Sequence, residues 1–129
     1  MNLFEEYIKS IDYKSIANMK ISSDELLQMM TNKESIQIID VRFKEEVDLW
    51  NFPYFKHISI NELPDRLNEL DKNSLIVTVC PHNVRSNIAM HYLMTKGYNV
   101  KFLTDGLTNM INKLLGGSAK NIYKAIKSN

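Results

Sequence analysis

A single cysteine, Cys80, carries all the thiol chemistry available to this 129-residue chain. That excludes an internal disulfide framework, a Cys-x-x-Cys redox pair and a zinc site built from several cysteines. An excess of charge of one sign is missing as well. Sixteen Lys and Arg stand against fifteen Asp and Glu, a formal net charge of +1, so no global field draws the chain to nucleic acid. No apolar run approaches the roughly 18 residues of a membrane span. The opening stretch MNLFEEYIKS is acidic early and lacks the apolar core of a secretory signal, so a reducing cytoplasm, where a free thiol stays usable, is the expected setting. There is no internal repeat, low-complexity segment or long linker. What remains, 44% hydrophobic and 24% charged residues, is ordinary for one globular domain with a real core.

The periodicity alternates between helix and strand. Leu3, Phe4, Tyr7, Ile8 and Ile11 predict an amphipathic helix over 2–11. Ser22 and Glu25 form a capping-box pattern ahead of Leu26, Leu27, Met29 and Met30, with the two methionines read as core filler. Residues 36–40 and 75–79 are short, apolar and β-branched and read as strands, and Val100–Leu103 as a third. Between them fall a short helix over 44–50 ended by Pro53, a brief extended piece at 57–60, and a helix over 61–70 capped by Asn61. A helix follows Arg85, with Ile88, Ala89, Tyr92 and Leu93 on one face and Gly97 as its stop. Asp105-Gly106 reads as a turn, 107–115 as a helix ended by Gly116-Gly117, and 119–127 as a last amphipathic helix. It carries Ile122, Tyr123 and Ile126 on one side and Lys120, Lys124 and Lys127, a solvated face, on the other. Strands alternating with helices imply an α/β fold with a central parallel sheet covered on both faces. In such sheets sites lie beyond the carboxyl ends of the strands, where Asp40 and Cys80 both fall.

The stretch SLIVTVCPHNVRS concentrates the chemistry. A turn from strand to helix over Pro81, His82, Asn83, Val84, Arg85 and Ser86 points backbone N–H groups inward as an anion nest does, and the helix N-terminus adds partial positive charge. Arg85 adds a full charge. Together they favour the thiolate of Cys80, the nucleophilic form, and would hold an anion on or near its sulfur. The plainer reading, a small buried hydrophobe, accounts for neither its place at the strand end nor the arginine in the next turn. Cys80 and Arg85 are separated by four residues. Cysteine phosphatases resemble this arrangement but use five, a wider cradle for tetrahedral phosphate; the tighter loop suits a smaller adduct such as one sulfur.

These stretches together resemble the rhodanese family of sulfurtransferases, from about Ile21 to Met110. The likeness runs through ISSDELLQMM, the strand end IIDVR with its Asp-Val-Arg, the KEE after it, FPYFKHISINELPDRLNEL, LIVTVC, CPHNVRS and FLTDGL. It implies a rhodanese-like domain over 21–115, an N-terminal helical extension over 1–20 and a C-terminal amphipathic helix over 116–129. It further implies that Cys80 takes up sulfane sulfur as a persulfide from a small-molecule donor and passes it to a thiol, cyanide or protein acceptor. Arg85 would close the loop as a catalytic partner. Pro81, His82, Asn83, Val84 and Ser86 would line the substrate, and Asp40 and Arg42 would support the strand ends by charge pairing. No cofactor, metal, nucleic acid or membrane is implied, and the oligomeric state is left open.

The chain also departs from the family pattern. Asn83 stands where glycine is usual, and asparagine tolerates a left-handed backbone. Pro81 stands where a basic residue is common in thiosulfate users, and it removes one N–H donor, which works against thiosulfate, a dianion. Gly106 alone remains of a usual glycine pair, Met110 replaces a common tryptophan, and the glycine expected near Trp50 is absent. His82 reads as a solvated loop residue, and His57 and His91 have no companions at ligand spacing. The alternatives are a catalytically weak rhodanese-like binding module, a cysteine phosphatase or arsenate reductase, and a peroxide-sensing thiol that needs an outside resolving thiol.

Overall fold

In the computed structural model, which describes residues 1–128, the chain winds around one parallel sheet; position 129 of the expected C-terminal segment lies outside the described residues. The strands are β1 (Lys20–Ile21), β2 (Ile36–Asp40), β3 (Lys56–His57), β4 (Leu75–Val79) and β5 (Val100–Leu103), in the order β1-β5-β4-β2-β3. The helices are α1 (Leu3–Lys9), α2 (Tyr13–Asn18), α3 (Ser23–Thr31), α4 (Lys44–Leu49), α5 (Val84–Thr95), α6 (Gly106–Asn112) and α7 (Gly116–Lys127). The class is the expected one, α/β with a parallel sheet covered on both faces, as in rhodanese-like domains. No helix among the described residues is long and apolar enough to cross a membrane.

β4 lies at the centre, paired with β2 and β5, and its alternation divides the core in two. Ile76 and Cys80 join Ile39, Val41, Ala89, Met90 and Leu93 under α5. Val77 and Val79 join Ile38, Leu26, Leu27, Leu107 and Met110 under α3 and α6. Both faces of β4 are buried, which is why LIVTV is apolar at nearly every position and does not alternate. Each fully buried Leu or Ile here contributes roughly 1.5–3 kcal/mol over an exposed one. The parallel register leaves the ends of β2 and β4 level, Asp40 opposite Val79, so the loops after them open side by side.

Several local expectations are corrected. The N-terminal helix stops at Lys9, because Asp12 starts α2 with its own capping box, accepting from the Ser15 N–H and donating to Ser15 Oγ, both at 2.8 Å. β1 has only two residues, too few for any alternation to reveal it. In place of a helix over 61–70 there are two 3₁₀ turns, Ile60–Asp65 and Leu67–Glu69, entered from Ser59 and not capped by Asn61. Pro64 has no N–H, and its ring would crowd the Ile60 carbonyl in an α-helix. α5 turns Ser86, Ala89, Met90 and Leu93 inward, while Ile88 is 57% exposed. Gly116 and Gly117 open α7 and do not merely end α6.

Candidate active site

Cys80 follows the last residue of β4 and is 2% exposed. Its thiol donates to Ser86 Oγ at 3.3 Å, and the Ser86 N–H points back at Sγ at 3.4 Å. Ser86 is itself buried in the first turn of α5, so the sulfur faces a helix N-terminus as expected. The Ser86 hydroxyl also reaches the Asn83 carbonyl at 3.3 Å. On ionisation of the thiol that hydroxyl can rotate to donate to sulfur, so the same two groups serve thiol and thiolate.

The loop is held from outside by α6. The N–H groups of Leu107 and Thr108 donate to the carbonyls of Cys80 and Pro81 at 3.0 and 3.1 Å, and Thr108 Oγ1 donates to the Pro81 carbonyl as well. Gly106 makes this approach possible. Its φ is +76°, and a Cβ there would lie 2.3 Å from the Pro81 carbonyl oxygen and 2.5 Å from that of His82. Asp105 anchors the turn, accepting from the N–H and hydroxyl of buried Ser23 at 2.9 and 2.8 Å.

Asn83 does not take the left-handed conformation foreseen for it. Its φ is −154°, and its side-chain amide donates to the Thr104 carbonyl at 3.2 Å. The backbone therefore accommodates a residue with a Cβ, and the side chain adds a second tie to the β5–α6 turn. Val84 is 68% exposed, and His82 and Asn83 are also open to solvent. Pro81 presents a carbonyl to α6 and no donor to the sulfur side.

Arg85 is not held by the sulfur. Its guanidinium grips Glu46 of α4, Nη1 to Oε1 at 2.5 Å and Nη2 to Oε2 at 2.9 Å, and lies 5.3 Å from the Phe43 ring centroid. These hydrogen bonds, and the one Glu46 accepts from the Phe43 N–H, outweigh its partial burial and hold its carboxyl at about 2, against an ordinary 4.5. Glu46 is the residue that sequence reasoning assigned no role. The signal was its place in the KEE after Asp-Val-Arg, but nothing local said which cation it would meet.

Asp40 and Arg42 pair with each other at the end of β2. Arg42 is fully buried and binds Asp40 through Nε, at 3.0 Å to each oxygen, and through Nη2 at 2.7 Å. Nη2 also donates to the Trp50 carbonyl at 3.0 Å, and the Trp50 ring stacks 3.8 Å from the guanidinium carbon. His57 Nε2 lies 2.7 Å from the Arg42 carbonyl. Trp50 thus caps a buried charge at the point where the family glycine is absent. His91 is elsewhere: Tyr7 Oη lies 2.7 Å from its Nδ1, and burial pushes the His91 pKa down and that of Tyr7 up.

Comparison with known proteins places this geometry. A family model described as Rhodanese-like domain matches residues 22–113. A Bacillus subtilis protein named "Putative sulfur carrier protein YrkF" is 33% identical over 79 residues, 61% of this chain and 43% of that protein, so the chain spans under half its length. "Putative sulfurtransferase YtwF" of the same organism is 30% identical over 88 residues, 68% of this chain and 85% of that protein. A solved rhodanese-like domain protein from Staphylococcus aureus matches with a TM-score of 0.66 at 32% identity, covering 69% of this chain and 87% of that one. The stretch matched by the family model includes Asp40, Arg42, Glu46, the Cys80 loop and Gly106, and leaves α1, α2 and α7 outside it.

Proposed function

The chain belongs to the rhodanese-like domain family, and on that premise we propose that it is a sulfurtransferase carrying sulfane sulfur on Cys80 as a persulfide. The observation that carries this reading is the lone thiol at the end of β4, held by the hydroxyl and N–H of Ser86 at the start of α5. The Cys80 thiolate attacks the outer sulfur of a donor, forming a new S–S bond, while the donor's own S–S bond breaks and its electron pair leaves with the donor thiolate. An acceptor nucleophile repeats the step on the Cys80 persulfide. One cysteine suffices, because the second thiol belongs to the acceptor. Ser86 stabilises the inner sulfur in both steps. Arg85, joined to α4 through Glu46, is a positioning residue that fixes how α5 meets the loop. Pro81 offers no N–H and Arg85 is already neutralised, which favours a persulfide or polysulfide donor over dianionic thiosulfate.

Incubation with a persulfide donor should add one sulfur, roughly 32 Da by intact mass, and Cys80→Ser should abolish the gain, since the attacking thiolate is then absent. A second reading, a family module that binds without turnover, is favoured by the 2% exposure of Cys80. Absence of an adduct with thiosulfate, polysulfide and persulfide alike would put that reading first.

A further inference from the structure

Helix α1 lies outside the matched stretch and packs on α5, the helix that carries the reactive loop at its N-terminus. It has two apolar faces. One is used: Tyr7 packs on the core, followed just past the helix by Ile11, and the Tyr7 ring meets His91 edge to face at 5.7 Å. The other is bare. Leu3, Phe4 and Ile8 are 54%, 58% and 48% exposed, and with Ile88 and Tyr92 of α5 and Lys96 at its C-terminal cap they line a groove of about 560 Å³. Among the residues lining it, Lys96 carries the one full charge. The groove leads toward the chemistry. Val84, exposed and adjacent to Arg85, sits one turn before Ile88, about 6 Å along the α5 axis at 1.5 Å per residue.

We propose that the groove between α1 and α5 docks an amphipathic helix of a thiol-bearing acceptor protein, with Val84 extending the apolar track from Ile88 to the Cys80 loop. This rests on the sulfurtransferase reading. A trough between two helices takes a third through anchors spaced i, i+3, i+4 and i+7. The bare apolar wall asks for such anchors, and Lys96 asks for a carboxylate at its end of the groove. The short run from groove to loop favours an acceptor over a second copy of this chain, because a segment seated there brings its end to the thiol. The acceptor thiolate then attacks the outer sulfur of the Cys80 persulfide. The S–S bond breaks, its electron pair returns to Cys80 Sγ, and the outer sulfur leaves with its proton as the acceptor persulfide.

The test uses the full chain loaded with sulfur and a synthetic helical peptide. The peptide carries Leu anchors at that spacing, a Glu for the Lys96 end, and one Cys at either terminus in turn. A scrambled peptide of the same composition is the control. The patterned peptide should show a KM about tenfold lower, equivalent to about 1.4 kcal/mol. Phe4→Asp and Ile88→Asp should each remove that preference while leaving transfer to cyanide unchanged. Equal KM values for the two peptides, or a preference that survives Ile88→Asp, overturn the proposal. So does a dimer that Ile88→Asp splits, which would assign the groove to a second copy. If the loaded protein passes no sulfur to cyanide, the sulfurtransferase reading fails. Anisotropy of a labelled, cysteine-free patterned peptide then decides the groove alone: binding lost in Ile88→Asp upholds it, and no binding to the unaltered chain overturns it.

Discussion

Arg42 and Arg85 each hold a carboxylate with two guanidinium nitrogens near the same thiol, but water reaches them very differently. The Arg42 and Asp40 side chains are 0% and 3% exposed; those of Arg85 and Glu46 are 27% and 35%. Two charges removed from water tolerate no loss of either partner, so the first pair acts as a fixed unit that braces the end of β2 under the Trp50 ring. The second pair is half open. An ion pair of that exposure contributes roughly 0–1 kcal/mol, so the tie it makes between α5 and α4 is the weaker of the two. One guanidinium is locked into the end of β2, and the other ties α5 to α4 through a pair that water reaches.

The comparison breaks most visibly at the buried pair. Arg42→Met should destabilise the protein by about 3–5 kcal/mol in urea unfolding, because the Asp40 carboxylate is left buried without a counter-charge. A double variant, Asp40→Leu with Arg42→Met, should recover much of that loss, since no buried charge remains. If the double variant is as unstable as the single one, the pair acts through its ties to Trp50 and not through charge.

An intermediate effect is expected where the loop meets α6. Gly106→Ala should cost about 1–3 kcal/mol from its positive φ alone, and the added methyl, 2.3 Å from the Pro81 carbonyl, should also displace the Cys80 loop and slow sulfur uptake. Gly116→Ala shares the positive φ, at +55°, but a Cβ there meets nothing within 4 Å. It should cost about 1 kcal/mol and leave uptake unchanged. Stopped-flow uptake with both variants tests whether contact with the loop, and not backbone strain, sets the difference.

The smallest effect belongs to the open pair. Glu46→Gln should change stability at pH 7 by about 1 kcal/mol or less. Its sign with pH is definite. The Glu46 carboxyl titrates at about 2 when folded against 4.5 ordinarily, so the pair's contribution is complete above 4.5 and fades as pH falls toward 2. Unfolding midpoints of the unaltered chain and Glu46→Gln should therefore converge on acidification. A constant gap between pH 7 and pH 3 would show that Glu46 matters through its cap on the Phe43 N–H and not through Arg85.

Much of this arrangement was legible in the residues. The apolar run that stops at Cys80, the helical spacing that begins just after it, and Asp-Val-Arg at the end of another apolar run are local patterns. Local patterns report which face an element buries and where it ends, because side-chain periodicity is a property of the strand or helix itself. They were enough to place Cys80 and Asp40 at the carboxyl ends of strands in a parallel sheet.

Other features were decided by the tertiary structure. The partner of Arg85 lies 39 positions earlier on another helix, and Gly106 touches a loop some 25 positions before it only because β5 runs beside β4. β1, two residues long, exists through its pairing with β5. The inward face of α5 carries Met90 rather than Ile88. In each case the deciding energy is a contact between segments far apart in the chain. The residues determined by themselves which elements form and where the thiol stands, and only the packing of those elements decided which charge meets which, because that depends on strand order and register rather than on any local period.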